Sequence, residues 1–240
     1  MIKKNVLITG ASRGIGRSTA LLFADKGFHV FLNCHKSIEE LQKVQQEIEQ
    51  NHPDCSTIVT GNVGNPEDVR SIFREIYNHC DSLDVLVNNA GVAHIGLLMD
   101  LTDEEWRRII DTNLSSVFYC CREAVPKMVS KKSGRIINIS SMNAFRPLTK
   151  IPAYSGAKAA VSNFTQWLAT HMSKVGIRVN AIAPGFFLTD QNRALLTNPD
   201  GSLTDRSKTI LAHTPFNRFG EPVDYVTGPV IFGEPGTNRC

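Results

Sequence analysis

A glycine-rich stretch directly after an apolar run restricts the possible folds of this chain more than any other feature. The run is Val6-Leu7-Ile8, and the stretch is Thr9-Gly10-Ala11-Ser12-Arg13-Gly14-Ile15-Gly16. Apolar residues at helical spacing follow it. A strand, a glycine turn and a helix in this order direct backbone N–H groups and a helix N-terminus toward a phosphate. The stretch alone fits a plain structural turn equally well, so other motifs must decide between the two interpretations.

Each glycine of the stretch has its own predicted role in such a site. Gly10 permits the tight turn after the strand. Gly14 lacks the Cβ that would block a pyrophosphate, and Gly16 lets the helix pack closely against the sheet. If the stretch binds a nucleotide, these three positions form its cradle.

Strand and helix patterns alternate along the 240 residues, which predicts a parallel sheet covered by helices on both faces. The length fits one large α/β domain, and no linker, repeat or low-complexity tract divides it. We therefore expect a single domain over residues 1–240. Ser37 and Glu40 are expected to form a capping box at a helix start, and one helix is expected from Thr102 to about Val129.

Composition and charge narrow the partners and the compartment. The net charge is only +3 and no basic block occurs, which argues against nucleic acid and anionic membranes as partners. The apolar runs are far shorter than the roughly 20 residues of a membrane helix. Six cysteines lack CxxC spacing, so neither a metal site nor a disulfide framework is expected. A cytoplasmic protein with free thiols fits these observations.

Three side chains further along the chain have the chemistry of an acid–base site. Tyr154 and Lys158 are four residues apart on a predicted helix and so share one face. A nearby ammonium favours the phenolate, which lets a tyrosine exchange a proton with a carbonyl or alcohol oxygen. Ser141 follows a predicted strand, where parallel sheets place their ligands, and its hydroxyl could bond the same oxygen. Taken alone, the tyrosine–lysine pair also fits an ordinary helix surface.

Several motifs occur together in one order and spacing. They are the glycine stretch, Asn88-Asn89-Ala90-Gly91, Asn113, Ser141, Tyr154-Ser155-Gly156-Ala157-Lys158 and Pro184-Gly185. Together they resemble the short-chain dehydrogenase/reductase family over about residues 3–222. The resemblance implies a Rossmann-type, doubly wound α/β/α fold. It also implies an NAD(P)-dependent oxidoreductase that transfers a hydride between nicotinamide and a carbonyl or secondary alcohol.

The resemblance further implies a role for each residue of the catalytic set. Tyr154 would be the general acid/base, and Ser141 would orient and polarise the substrate carbonyl. Lys158 would lower the pKa of the tyrosine and hold the nicotinamide ribose, and Asn113 would support a water that relays protons. The predicted cofactor contacts are Gly10, Ser12, Arg13, Gly14, Ile15, Gly16, Asn33, Lys36, Asn62, Val63, Asn89, Ala90, Gly91, Tyr154, Lys158, Pro184, Gly185 and Thr189.

The end of the second strand favours NADP(H) over NAD(H). An acid there would hold the ribose hydroxyl of NAD and repel a 2′-phosphate, but the sequence is Asn33-Cys34-His35-Lys36-Ser37. Arg13 and Lys36 could pair with that phosphate instead. Alternatively, Lys36 merely lies in a solvated loop. Asn62-Val63 stands where the family usually has Asp-Val near the adenine, and an amide can still bond there.

Two segments are expected to form the substrate mouth, the loop 142–153 and an insert at 185–215. Both are polar and contain several cations, which suits a hydroxylated or carboxylated substrate. The predicted substrate contacts are Ser141, Asn143, Arg146 and Tyr154. For any single residue, a solvated loop without substrate contact fits at least as well.

Family resemblance narrows the predicted substrate to a few classes but leaves more than one of them open. The second half of the chain resembles sugar-acid reductases of the D-mannonate oxidoreductase (fructuronate reductase) type. The first half resembles 3-oxoacyl-carrier-protein reductases. We expect a sugar-acid substrate, with a 3-oxoacyl ketoreductase as the alternative and a cofactor-binding protein without turnover as a third interpretation.

The C-terminal residues 223–240 depart from the family pattern. A helix that normally follows Glu221-Pro222 has no counterpart, and the run 225–231 resembles the last strand of the family. In the family, that helix and strand form one of two dimer interfaces. We therefore expect a homodimer through the helices that hold Asn113 and Tyr154, with the usual tetramer in doubt.

Overall fold

A computed structural model describes residues 3–188, 193–221 and 224. Its centre is one sheet of six parallel strands in the order β3-β2-β1-β4-β5-β6. The strands are β1 (Asn5–Ile8), β2 (His29–Cys34), β3 (Ser56–Thr60), β4 (Val85–Asn88), β5 (Gly134–Ile139) and β6 (Ile177–Ile182). The strand order reverses next to β1, and this switch point is where open α/β sheets bind ligands. The predicted doubly wound α/β fold is confirmed.

Helices cover both faces of the sheet. They are α1 (Gly14–Asp25), α2 (Ile38–Asn51), α3 (Pro66–His79), α4 (Asp103–Ile110), α5 (Ser116–Lys131), α6 (Pro152–Met172), α7 (Arg193–Leu196) and α8 (Asp205–Ala212). Buried side chains of α1 and α2 join one core cluster, and those of α3, α5 and α6 join another. No helix among the described residues is long and apolar enough to cross a membrane.

The two cores follow from the alternation of side chains along each strand. On β1, Val6 and Ile8 face the core under α1 and α2, whereas Leu7 faces the core under α3, α5 and α6. All three are fully buried. Strands that are buried on both faces read as continuous apolar runs, which is why Val6-Leu7-Ile8 is a reliable strand signal.

Two helix starts have a side-chain cap, and a third lacks one. The Asn65 side chain accepts hydrogen bonds from the N–H groups of Glu67 and Asp68 at the start of α3. Thr102 accepts one from the Glu105 N–H at the start of α4. Ser37 precedes α2 but forms no side-chain cap. The expected capping box with Glu40 is therefore wrong, because Ser37 has φ −86° and ψ 60° rather than the extended backbone of a capping residue.

The expected single helix from Thr102 to about Val129 is interrupted. Asp111–Ser115 forms a π-helical turn between α4 and α5, which accommodates one extra residue in the helix. The fully buried Asn113 lies in this turn. Such turns are frequent at functional sites.

Two predicted features lie outside the described residues. One is Thr189. The other is the segment 223–240 that departs from the family pattern, of which only Asp224 is described.

Candidate active site

The glycine turn leaves β1 at the switch point of the sheet, and its backbone requires glycine. Gly10 has φ +66° and Gly14 has φ +54°, a region that side chains strongly disfavour. A Cβ on Gly16 would lie 2.2 Å from the Gly10 carbonyl oxygen and 2.6 Å from Asn89 Nδ2. The start of α1 therefore packs directly against the turn, as the sequence predicts. Ser12 is half-buried beside it, and Ile15 packs against the core under α1.

Hydrogen bonds lock this turn to the end of β4. The Thr9 hydroxyl accepts the N–H groups of Asn89 and Ala90, each at 2.9 Å. Asn89 Nδ2 donates to the carbonyl oxygens of Thr9 and Gly10 at 2.8 and 3.0 Å. Asn89 thus holds the turn from beneath. Sequence reasoning missed Thr9, although a hydroxyl at the end of a central strand is a usable signal.

Ser141 and Tyr154 face each other at the same edge of the sheet. Ser141 follows β5 and is buried, and Tyr154 lies in the first turn of α6. Burial raises the pKa of the Tyr154 phenol, and a hydrogen bond with the Ser141 hydroxyl works in the opposite direction. The Ser141 hydroxyl therefore favours the phenolate in this structure.

Lys158 lies one helical turn beyond Tyr154 and is fully enclosed. Its Nζ donates to the Ile139 carbonyl oxygen at 2.6 Å and lies 5.7 Å from the centre of the Tyr154 ring. Burial lowers the pKa of Lys158 to about 8. The lysine is therefore still mostly protonated at neutral pH and releases its proton as the pH approaches 8.

The side chain of Asn113 has an acceptor oxygen without a hydrogen-bond partner in the same region as Lys158. Its Nδ2 donates to the carbonyl oxygens of Val92 and Ile109 at 2.7 and 2.9 Å. Its Oδ1 is buried without a hydrogen-bond partner. A Cβ on Gly91 would lie 2.8 Å from this Oδ1 and 3.8 Å from Lys158 Nζ. Gly91 therefore has no room for a side chain, because Asn113 Oδ1 lies close to its backbone.

A buried polar chain beneath the site connects three elements. Asn88 Nδ2 donates to Asn138 Oδ1 at 2.9 Å, and Asn138 Nδ2 donates to the Thr165 hydroxyl at 2.9 Å. These bonds tie β4 and β5 to α6, the helix that carries Tyr154 and Lys158. Sequence reasoning missed Asn138 and Thr165, because their pairing depends on strand register and helix docking.

The end of β2 differs in detail from its expected role. The Asn33 side chain is buried and donates to the Val59 carbonyl oxygen at 3.0 Å, so it bonds β3. Lys36 and Arg13 are exposed, and within the described part of the chain Arg13 forms no ion pair. Arg17, one turn along α1, pairs with Glu47 of α2.

The Asn62 and Val63 pair lies in the loop before α3. Asn62 Oδ1 accepts the Gly64 N–H at 3.0 Å, which shapes the loop. Val63 is buried in the core under α3. Neither side chain is therefore wholly free for a cofactor, although Asn62 is only half-buried.

The predicted substrate residues divide into buried and exposed ones. Asn143 is buried and bonds Ser141, whereas Arg146 is exposed. Lys150 is exposed with φ +66°, an unusual conformation for a lysine. The Pro184 carbonyl oxygen accepts the Met142 N–H at 3.0 Å, and a Cβ on the following Gly185 would meet no atom within 4 Å.

A cavity of about 520 Å³ lies beside this loop, and its lining is mainly apolar. Leu97, Leu98, Pro147 and Leu148 are among the apolar residues that line it, and Asn143 also lines it. Ser141 and Tyr154 do not line the cavity. It therefore adjoins the acid–base groups without containing them.

Comparison with known proteins fixes the family. The model of the short chain dehydrogenase family matches residues 4–200, which is most of the chain. The chain belongs to the short chain dehydrogenase family. Members of this family are oxidoreductases that bind a nicotinamide cofactor, and the resemblance predicted from the motifs is confirmed.

Relatives within this family differ in their activities. The 3-oxoacyl-[acyl-carrier-protein] reductase FabG of Staphylococcus aureus is 39% identical over 221 residues, which cover 92% of this chain and 87% of that protein. The uncharacterized oxidoreductase UxuB of Bacillus subtilis is 36% identical over 92% of this chain and 84% of that protein. The first supports the predicted likeness to 3-oxoacyl reductases. The likeness to D-mannonate oxidoreductases stays a prediction.

Solved structures show the same architecture. The actinorhodin polyketide ketoreductase with NADPH matches with a TM-score of 0.89 and 27% identity, over 98% of this chain and 92% of that one. A protein from Agrobacterium tumefaciens, provisionally described as a gluconate dehydrogenase, matches with a TM-score of 0.87 and 31% identity, over 95% and 88%.

The residues present fit a nicotinamide dinucleotide. The glycine turn lies at the N-terminus of α1, and its positive φ angles at Gly10 and Gly14 suit a backbone that binds a pyrophosphate. The unpartnered Asn113 Oδ1 and the buried Lys158 lie at the opposite end of the switch point, next to Tyr154. When bound, the cofactor supplies or accepts the hydride.

Proposed function

We propose that this protein catalyses the NADP(H)-dependent interconversion of a ketone and a secondary alcohol. The observation that carries the proposal is the grouping of Ser141, Tyr154 and Lys158 beside the glycine turn, at the carboxyl edge of the sheet. A reacting carbonyl oxygen placed between the Ser141 and Tyr154 hydroxyls would receive two hydrogen bonds. Tyr154 would give its proton to that oxygen during reduction and take it back during oxidation.

Lys158 and Asn113 would return the proton to Tyr154. The Lys158 pKa of about 8 lets the ammonium release a proton near neutral pH. Asn113 Oδ1 is a buried acceptor without a hydrogen-bond partner, and a bound water could satisfy it. This arrangement supports a proton route from solvent to the phenol through the lysine.

The preference for NADP(H) rests on Arg13 and on the absence of an acid directly after β2. Arg13 is exposed next to the cradle and has no ion pair within the described residues, whereas Arg17 is engaged by Glu47. A free guanidinium is well suited to a ribose phosphate. An NADPH-containing ketoreductase among the structural neighbours is consistent with this preference.

For the substrate we propose a polyhydroxy ketone that bears a carboxylate, of the fructuronate type. Arg146 and Lys150 place two exposed cations on the loop after Ser141, where a substrate carboxylate would lie. The likeness to a protein described as a gluconate dehydrogenase supports a sugar-acid substrate.

A 3-oxoacyl thioester is the second candidate. The sequence similarity to FabG favours it, and so does the exposure of Leu97 and Leu98 beside the site, which an acyl chain could cover. The two candidates differ in what the mouth must contact, a carboxylate or an apolar chain.

A substrate panel separates these candidates. NADPH absorbance is followed with fructuronate, an acetoacetyl thioester and a simple ketone, at equal concentrations. The proposal expects the highest kcat/KM with fructuronate. A higher value with the thioester would select the second candidate. NADPH binding without oxidation in any mixture would indicate a cofactor-binding protein that lacks turnover.

We also propose a single-domain cytoplasmic homodimer that associates through α4, α5 and α6. These helices expose Trp106, Phe118 and Trp167, each about half accessible, which is unusual for aromatic side chains of a monomer. Analytical ultracentrifugation tests this association, and a tetramer would contradict it.

A further inference from the structure

Asn143 forms two hydrogen bonds with the hydroxyl of the candidate catalytic serine. It is buried, with 8% of its surface exposed. Its backbone N–H donates to Ser141 Oγ at 3.2 Å, and its side-chain Nδ2 donates to the same oxygen at 3.1 Å. Two donors from one residue thus converge on the hydroxyl of Ser141.

The orientation of the Asn143 amide is fixed by a third hydrogen bond. Its Oδ1 accepts the backbone N–H of Leu148 at 3.3 Å. A backbone N–H can only donate, so the amide oxygen must face Leu148. The NH₂ group is consequently left to face Ser141, where it can only donate.

This arrangement determines what the serine hydroxyl can do. A hydroxyl has two acceptor lone pairs and one proton to donate. Because Asn143 occupies both acceptor positions, the Ser141 proton is left for a third partner, and Tyr154 is the group with which Ser141 bonds. The serine is therefore held as a donor, and its one proton bonds the phenol until a substrate oxygen takes that place.

We propose that Asn143 is a positioning residue, which fixes the Ser141 hydroxyl as a hydrogen-bond donor. The single Ser141 proton goes to the Tyr154 oxygen in the free protein and to the reacting carbonyl oxygen when substrate is bound. The proposal rests on the proposed function, because it assigns a task within the same reaction. It replaces a direct substrate contact by Asn143, since the amide oxygen and the amide NH₂ are both engaged within the loop.

A purely structural role makes a different prediction, because Asn143 also ties its own loop together. The variant Asn143→Asp keeps an acceptor for the Leu148 N–H but replaces the donor facing Ser141 with an acceptor. The variant Asn143→Ala removes both. If Asn143 acts through Ser141, the aspartate variant is the worse enzyme, because its carboxylate draws the Ser141 proton away from Tyr154. If Asn143 only ties the loop, the alanine variant is the worse one.

The first measurement is steady-state kinetics with the best substrate of the panel. We expect kcat to fall about tenfold in Asn143→Ala and about a hundredfold in Asn143→Asp, with the dissociation constant of NADPH unchanged. In the oxidation direction, the pH at half-maximal kcat should rise by about one unit in Asn143→Ala, because the phenolate loses an aligned donor. The reverse ranking of the two variants, or an unmoved pH profile, would overturn the proposal.

A double-mutant cycle with Ser141→Ala tests whether the effect passes through the serine. In that background, Asn143→Ala should lower kcat by less than about twofold, because the hydroxyl that it positions is already gone. A further tenfold loss would mean that Asn143 acts independently of Ser141, and the proposal would fail.

A titration without turnover separates this proposal from the proposed function. The tyrosinate absorbance is measured against pH, and that of Tyr154→Phe is subtracted from that of the wild type to isolate the ionisation of Tyr154. The same subtraction is made between Asn143→Ala and the double variant Asn143→Ala/Tyr154→Phe. A rise in the Tyr154 pKa in that background supports the positioning role even if no substrate is reduced, in which case only the proposed function fails. Reduction of a substrate by the wild type together with an unchanged Tyr154 pKa rejects the positioning role alone.

Discussion

The cofactor side of the candidate site is formed mainly by backbone groups, whereas the substrate side is formed by exposed side chains. On the cofactor side, the Thr9 hydroxyl accepts the Asn89 N–H, and Asn89 Nδ2 donates to the Thr9 carbonyl oxygen, which joins the glycine turn to the residues after β4. Gly16 leaves no room for a Cβ. On the substrate side, exposed side chains such as Arg146 and Lys150 project from a loop. Backbone recognition tolerates few residue types, whereas an exposed side chain can change without disturbing the fold. The sequence of the cofactor side is thus more constrained by the fold than that of the substrate side.

The largest expected effect concerns Tyr154, which lies between the two sides. Tyr154→Phe should lower kcat by roughly 10²–10⁴-fold, because the proton donor is lost while the ring and its packing are kept. NADPH binding, measured by fluorescence titration, should stay within twofold of the wild type. Substantial turnover in this variant would remove Tyr154 from the role of general acid.

The next prediction tests the buried lysine of the cofactor side by its pH dependence. The folded-state pKa of Lys158 is about 8 and its ordinary value is 10.5. Between these values the unfolded chain binds a proton that the folded chain has released, so stability rises with pH. The free energy of unfolding of the wild type, minus that of Lys158→Met, should therefore increase from about pH 8 to about 10.5.

Chemical denaturation at several pH values measures this difference. Lys43→Met, at an exposed position of α2, serves as the control and should show no such trend. A difference that is flat over this range would mean that burial does not depress the Lys158 pKa.

Gly16→Ala tests whether the cradle is as closely packed as its geometry indicates. The added Cβ would overlap the Gly10 carbonyl oxygen, so we expect a loss of about 1–3 kcal/mol in the free energy of unfolding and weaker NADPH binding. Gly156→Ala is the matched control, because no atom lies within 4 Å of its Cβ position. Equal behaviour of the two variants would contradict the close packing of α1 against the turn.

Arg13→Ala sharpens the comparison within the cofactor side. We expect the KM for NADPH to rise about tenfold and the KM for NADH to stay unchanged, since only NADPH carries the ribose phosphate. Arg17→Ala, which removes a guanidinium already paired with Glu47, should leave both constants unchanged. A parallel rise of both constants in Arg13→Ala would show that Arg13 does not read that phosphate.

The smallest expected effect lies on the substrate side. Arg146→Ala should raise the KM for fructuronate a few-fold and leave the KM for a neutral ketone unchanged, because an exposed ion pair contributes little. Arg74→Ala, an exposed arginine on α3, is the control. If the KM for fructuronate rose more in Arg146→Ala than the KM for NADPH rises in Arg13→Ala, the substrate side would be the more sensitive of the two.

The sequence predicted the fold and the glycine turn because both depend on local patterns. Apolar runs locate the strands, and positive φ angles at Gly10 and Gly14 demand glycine. The bond between Asn143 and Ser141 and the depressed pKa of Lys158 were not predictable in this way. They depend on burial and on loop geometry that arise only when β5, its loop and α6 are assembled.

The π-helical turn at Asp111–Ser115 has a consequence for how α4 and α5 are phased. One additional residue rotates everything before it by about 100° relative to everything after it. Trp106 on α4 and Phe118 on α5 therefore do not have the relative orientation that one uninterrupted α-helix would give them, although the two segments are continuous in the chain. Deleting a single residue here would straighten the helix and turn Asn113 away from Lys158, while hardly altering composition or hydropathy.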